Sequence, residues 1–251
     1  MQQQSALNDC GALPHLIADP LQRERTYSFF DAILQARCES SHIRVRQLVT
    51  PAELEVLSQA RLRLYAQRKK YYELLFGNTR AVDEIDNRSY VFACYYDDQI
   101  IGTQRVTPFP HEAGRYIDAA ALNDFLGTDY AHDHVEFSRL IVDKTAPVKR
   151  VVDALACTAG SLVALNTPCR NYITYVKPRL QERFSQFSFD HEALLFQIKE
   201  RGDHHYALFK GNLLSAVIDF FKLDCHPQDL TDMDSLIALI EGSPFATTAF
   251  S

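Results

Sequence analysis

The stretch from His134 to Val142 constrains the fold more than any other part of the chain. It runs His-Val-Glu-Phe-Ser-Arg-Leu-Ile-Val. Five of these nine residues are apolar, and the β-branched pair Ile141-Val142 closes it, which suits a strand. Within four positions it also carries Glu136, Ser138 and Arg139. Burying an isolated charge is very costly, so a sheet that takes in this strand must pair these groups or open beside them. Ionisable groups held inside a sheet more often serve a site than a scaffold. A buried ion pair that only fixes the sheet is the competing reading. Strict alternation puts Glu136 and Ser138 on one face and Arg139 on the other. A bulge in this strand would change that, and bulges are common at active sites. Without one, Arg139 holds the acidic loop at Asp83 or Asp86.

Upstream, an amphipathic helix runs through Tyr27, Phe30, Ile33 and Leu34. It lies in an N-terminal appendage, residues 1–41, and is expected to pack on the main domain. Ile43 to Val49 form a short strand. Thr50-Pro51-Ala52-Glu53 starts a helix with a capping box and proline at the first helical position. That helix is expected to reach about Tyr72, with Leu54, Leu57, Leu62 and Tyr65 as its apolar side. Arg61, Arg63, Arg68, Lys69 and Lys70 make it locally basic, either a solvated face or a dock for an anion. Residues 77–88 form a polar loop with Asp83, Glu84 and Asp86. Tyr90–Tyr96 and Ile100–Val106 pair as a hairpin through Asp97-Asp98-Gln99. Alternation puts Arg105 on one face with Thr103 and Ile101. The connection from Thr107 to Asp133 is long enough to be functional, with a short helix over Ala119–Leu126.

After the opening strand, Val148, Val151, Val152, Leu155, Ala159, Leu162 and Val163 mark one face of a helix. Lys149 and Arg150 fall in its first turn, where free backbone N–H groups and basic side chains suit a phosphate. Asn171–Val176 is the next strand, parallel to the opening one through a right-handed crossover. Lys177-Pro178-Arg179-Leu180 opens another helix. Late strands at Leu194–Ile198 and Tyr206–Phe209 precede an apolar helix from Leu213 to Phe221. The tail, residues 223–251, ends in a short helix capped by Thr231. The main domain is thus residues 42–222, of mixed α/β (α+β) class, with a mostly antiparallel twisted sheet flanked by helices.

Composition removes whole classes of function. The net charge of -6 argues against general nucleic-acid binding. No apolar run approaches the roughly 18 residues of a transmembrane segment, and no secretory signal is visible at the N-terminus. The six cysteines include no Cys-x-x-Cys pair and are expected as free thiols in a cytoplasmic protein. His111, His132 and His134 fit no strong metal-ligand spacing, so no metal is expected.

The element order, the acidic loop Asp83-Glu84-Ile85-Asp86, Gly102-x-x-Arg105 and Glu136-Phe137-Ser138-Arg139-Leu140 together resemble one branch of the GNAT acyltransferases. That branch holds the long-chain N-acyl amino acid synthases and the acyl-homoserine-lactone autoinducer synthases. The resemblance covers roughly residues 43 to 190. It implies a GNAT-like fold and the transfer of a fatty acyl group from a thioester, on acyl carrier protein or CoA, to the amine of an amino acid or related metabolite. No tightly bound cofactor is implied. Glu136 and Ser138 take the catalytic positions. Arg105, Arg139, Asp83, Asp86 and a helix arginine, Arg61 or Arg63, take substrate-binding positions, with Arg63 preferred. Lys149 and Arg150 would dock the donor's phosphate or its acidic carrier protein. The chain has no Trp, where autoinducer synthases usually place one near the amine. A lactone synthase using S-adenosylmethionine is therefore the second choice. A non-catalytic module that binds an acyl thioester is the third.

Glu136 is the expected base, since the attacking amine must lose a proton. A partly buried strand would raise its pKa toward a useful value. Arg105 is expected to hold an acceptor carboxylate in a bidentate contact.

Overall fold

In the computed structural model, residues 14–68, 81–181 and 192–243 are described. The capping box forms as the sequence expects. Thr50 Oγ1 accepts from the Glu53 N–H at 3.2 Å, and the Glu53 carboxylate accepts from the Thr50 N–H at 2.8 Å. Helix α2 (Pro51–Ala66) grows from it, after α1 (Pro20–Cys38) and β1 (Ile43–Leu48). The apolar side of α2 is Leu54, Leu57 and Leu64, with Tyr65; Leu62 is only half-buried. Arg61 lies in this same stripe and is completely buried. Helix α2 stops at Ala66 rather than near Tyr72, and Lys69, Lys70 and Tyr72 lie outside the described residues.

The remaining strands are β2 (Tyr90–Tyr96), β3 (Gln99–Thr107), β4 (His134–Val142), β5 (Asn171–Val176), β6 (Leu194–Gln197) and β7 (His205–Asn212). The helices are α3 (Ala119–Leu126), α4 (Tyr130–Asp133), α5 (Val151–Asn166), α6 (Leu213–Phe221) and α7 (Met233–Glu241). One seven-stranded sheet runs β1-β2-β3-β4-β5-β7-β6, and only the β4–β5 pairing is parallel. The crossover between those two strands is α5, as expected. Lys177 precedes a single 3-10 turn, Pro178–Leu180; the residues after Gln181, where a helix was expected, lie outside the described residues.

Helices α1, α5, α6 and α7 cover one face and share a core with Phe92, Val106 and Val135 of the sheet. Both terminal segments feed that core, through Phe30 and Leu34 at one end and Leu236 and Ile240 at the other. Helix α2 covers the opposite face over Leu48, Val91 and Ile100. A third cluster lies under the connection between β3 and β4, where Ile117 and Leu122 meet Ile173 and Leu208. Each fully buried Leu, Ile or Phe contributes about 1.5–3 kcal/mol. No described helix is long and apolar enough to cross a membrane.

Three local expectations need correction. Gly102 faces Cys94 while Ile100 faces Tyr95, so Ile101 is an extra residue in the β2–β3 ladder. That bulge turns Ile101 into the α5-side core, opposite Thr103 and Arg105. Helix α5 begins at Val151, with Arg150 left-handed just before it (φ 61°), so Lys149 and Arg150 precede the first turn. Asp232, not Thr231, caps α7; its carboxylate accepts from the Ser235 N–H at 2.8 Å.

Candidate active site

Strand β4 carries the bulge that decides the site. Arg105 pairs with Ser138 and Thr103 with Ile141, so three steps along β4 oppose two along β3. Arg139 takes up the extra residue in the left-handed region, at φ 52°. That conformation costs about 1–2 kcal/mol for a residue with a Cβ. The Arg139 guanidinium gains ion pairs there, with Asp83 at 2.9 Å and Glu112 at 3.2 Å. The bulge therefore turns Arg139 into the same cluster that Ser138 touches.

That cluster is a buried network. Arg61 donates to Asp86 at 2.8 Å, both side chains fully buried. Arg105 donates to Asp83 at 2.8 Å, bonds Glu112, stands 3.5 Å from Asp86, and donates through Nε to Ser138 Oγ at 3.2 Å. Burial opposes ionisation of Asp83, but Arg105, Arg139 and Arg61 hold its carboxyl below the ordinary value. Burial likewise opposes the charge on Arg105 and Arg139. Asp86, Glu112 and Asp83 hold Arg105 charged, and Glu112 leads the groups that hold Arg139 so. A network with all its partners in place fixes geometry; losing one member strands a charge.

Glu136 stands apart from it. The side chain is completely buried and is in no ion pair with Arg105. Its Oε2 accepts from the Ala113 N–H at 2.9 Å, and Oε1 meets no donor among the described residues. Burial first, and Glu112 second, push its pKa up to about 7. The turn Glu112–Arg115, on the long connection, supplies both the N–H that Glu136 accepts from and the Glu112 that repels it.

The β4–β5 ladder ends at Phe137 and Thr174, and beyond that pair the two strands part. A cavity of about 340 Å³ opens in the split. Ser138 to Ile141 line one side and Thr174 to Lys177 the other. Its end against α5 and α6 is apolar: Gly160 of α5 and Leu213, Ala216, Val217 and Phe220 of α6. Its other end is polar, with Glu112, Arg139, Tyr175, Arg201 and Tyr206. Such a shape takes an apolar chain at one end and a polar group at the other.

The residues expected at the site fall into three groups. Ser138 and Arg139 line the cavity, and Glu136 lies sealed beside them. Arg105, Asp83 and Asp86 form the network, with Arg105 buried among the chain's own carboxylates. Arg63, Lys149 and Arg150 are exposed and outside the network. Arg63 bonds the Ile100 carbonyl, so Arg61, two residues earlier, is the helix arginine that joins the acidic loop. Arg61 follows Leu54 and Leu57 on the buried stripe, and that spacing carried the signal. Glu112, Tyr175, Arg201 and Tyr206 were not foreseen, because they lie on a loop, a strand end and a hairpin with no motif. His111 Nε2 contacts the His134 carbonyl at 3.0 Å, and among the described residues no cluster of His, Cys, Asp and Glu could hold a metal ion.

A sheet split between two parallel central strands, with helices on both faces and the cavity in the split, defines the GNAT acyltransferase fold. Solved structures with this fold include the acyl-homoserine-lactone synthase LasI. It is 14% identical, with a TM-score of 0.52 over 72% of this chain and 95% of that one. FeeM, an N-acyl amino acid synthase from uncultured soil microbes, is 14% identical, with a TM-score of 0.50 over 72% and 93%. TofI, solved in a ternary complex with an inhibitor and MTA, is 14% identical, with a TM-score of 0.51 over 73% and 97%. No protein-family model matches the chain, and no curated protein matches its sequence.

Proposed function

We propose that the chain is an N-acyltransferase. It moves a fatty acyl group from a thioester, on acyl carrier protein or CoA, to the amine of an amino acid or related metabolite. The observation that carries this reading is the cavity in the β4–β5 split. Its apolar end suits an acyl chain, and its polar end meets the bulge of β4 beside Glu136. LasI and FeeM, which share the fold, are named an acyl-homoserine-lactone synthase and an N-acyl amino acid synthase.

The thioester carbonyl would lie in the split, where backbone N–H groups freed from the ladder can stabilise its oxyanion. The amine nitrogen attacks, a C–N bond forms, and the C–S bond breaks. Glu136, sealed behind the cavity wall, takes the amine proton through a water and returns it to the leaving thiolate. Arg105 and Ser138, with Asp83 and Asp86, position the bulge rather than hold substrate, because Arg105 is fully occupied. This replaces the direct Arg105–substrate contact expected from sequence. Lys149 and Arg150, exposed ahead of α5, would attract the phosphate of the donor or an acidic carrier protein.

Mass spectrometry of lipid extracts from expressing cells, beside the Glu136→Gln variant, tests the reading. A new N-acyl amino acid in the parent alone supports it. An acyl lactone would instead identify S-adenosylmethionine as the acceptor. No transfer by purified protein from dodecanoyl-CoA or dodecanoyl carrier protein to amino acids or S-adenosylmethionine would overturn it.

A further inference from the structure

The ion-paired network contains four arginines, Arg61, Arg105, Arg139 and Arg201, against three carboxylates, Asp83, Asp86 and Glu112. Arg201 makes the longest of these ion pairs. Its nearest carboxylate oxygen, on Glu112, is 4.0 Å away, beyond hydrogen-bond reach. That same oxygen already accepts from Arg139 at 3.2 Å. Among the described residues Arg201 donates no hydrogen bond. Yet its side chain is only 12% exposed.

Aromatic rings cage the guanidinium. Tyr116, Tyr175 and Tyr206 have centroids 5.8, 5.9 and 5.7 Å from its central carbon. Tyr175 packs edge-on to Tyr116, Tyr206 and Phe196, and Tyr116 stacks on Phe196, so each ring of the cage is held by another. Cation–π contacts hold the charge in place but leave its N–H donors unused. The Tyr206 hydroxyl is buried and meets no partner among the described residues. An unmet buried hydroxyl is costly, and an acceptor placed beside it could also take the unused N–H donors of Arg201. Arg201 and Tyr206 both line the polar end of the cavity.

We infer that Arg201 and the Tyr206 hydroxyl form an anion subsite that receives the carboxylate of the amine acceptor, which makes the acceptor class an α-amino acid. The inference rests on the acyl-transfer reading for its placement of the acyl chain. A carboxylate seated on Arg201 balances the network's charge. Since Glu112 links Arg201 to Arg139, the neighbouring amine would point toward the β4 bulge.

The test uses two product-shaped probes on the full chain, N-dodecanoylglycine and its primary amide, with binding read by calorimetry. The unaltered protein is expected to bind the acid at least tenfold tighter than the amide. Arg201→Met should reduce that preference to within twofold, and Arg201→Lys should retain part of it. Tyr206→Phe removes only an unpartnered hydroxyl; it should weaken the acid severalfold with the amide unchanged, and it serves if Arg201→Met fails to fold. Equal binding of acid and amide, no binding of either, or a preference that survives in the variants overturns the subsite. Acid preference without turnover in any acceptor would keep the subsite and remove the transferase reading. Turnover without acid preference would do the reverse.

Discussion

The Ala113 N–H donates to Glu136 Oε2 at 2.9 Å, while Oε1 of the same carboxyl meets no donor among the described residues. One bond does not offset complete burial, so the carboxyl titrates near 7 instead of at its ordinary 4.5. The folded state therefore holds the proton more tightly than the unfolded chain. The contribution of this carboxyl to stability is full below about pH 4.5, falls as pH rises to about 7, and stays reduced above. At about 1.4 kcal/mol per pKa unit, the loss is on the order of 3 kcal/mol. Glu136→Gln, which cannot ionise, should recover about that much at pH 8 and nothing at pH 4. Urea denaturation at both values checks it, and an equal effect at the two would contradict the assignment.

The same titration should shape activity. With Glu136 as the base, kcat/KM rises about tenfold per pH unit on the acid side and levels above about 7. Glu136→Gln should lower transfer by at least about 10²-fold at pH 8, the lower end of what a positioned base supplies. A variant with more than a tenth of the parent rate would remove Glu136 from that role.

Arg61 and Asp86 form a pair with no exposed surface, 2.8 Å apart. Removing one partner strands a buried charge, at a cost of about 3–5 kcal/mol. Arg61→Met or Asp86→Leu alone should cost that much, and the two together much less. Arg63→Ala, on the exposed side of the same helix, should change stability by about 0.5 kcal/mol or less. Chemical denaturation of the four variants decides which arginine the acidic loop needs.

Gly160 lines the apolar end of the cavity, and a Cβ built there meets nothing within 4 Å. A side chain at this position projects into open space. Gly160→Leu should shorten the acyl chain accepted by several carbons while leaving the amine KM unchanged. A series of acyl thioesters from six to sixteen carbons reads this directly; an unaltered chain-length profile would place the acyl group elsewhere.

Gly102 is a glycine for a different reason. A Cβ there would stand 2.9 Å from Val151 Cγ1 and 3.0 Å from Leu155 Cδ1 of α5. Gly102→Ala should destabilise by about 1–3 kcal/mol through overpacking. Adding Val151→Ala should restore part of the loss, and a thermal-melting cycle over the three variants measures the coupling.

Much of the fold was legible because its signals are local. The Thr50–Glu53 capping box, the Asp97-Asp98 turn and the apolar stripe of α5 each depend on neighbours a few positions away. Less of the site was legible. Strict alternation misplaced Ile101, and it left Arg139 on the far face from Glu136, because an extra residue in a ladder has no composition of its own. The resemblance left the helix arginine open between Arg61 and Arg63, which share one basic run, whereas in the structure Arg61 takes a place in the buried Leu54–Leu57–Leu64 stripe. Glu112 and Arg201 sit in a Pro-flanked loop and a polar hairpin, where nothing marks them as partners.

By itself, the sequence determined the order of strands and helices, the central place of His134–Val142, and a cluster of charges that had to be satisfied together. Periodicity and the cost of an unpaired charge are enough for that. Only the tertiary structure decided which charges satisfy one another. It placed Arg105 among Asp83, Asp86 and Glu112, left Glu136 buried with one oxygen unmet among the described residues, and parted β4 from β5 to make the cavity. Those outcomes depend on contacts between segments tens of residues apart, and the energy of a buried charge is set by whatever the fold brings within a few ångströms of it.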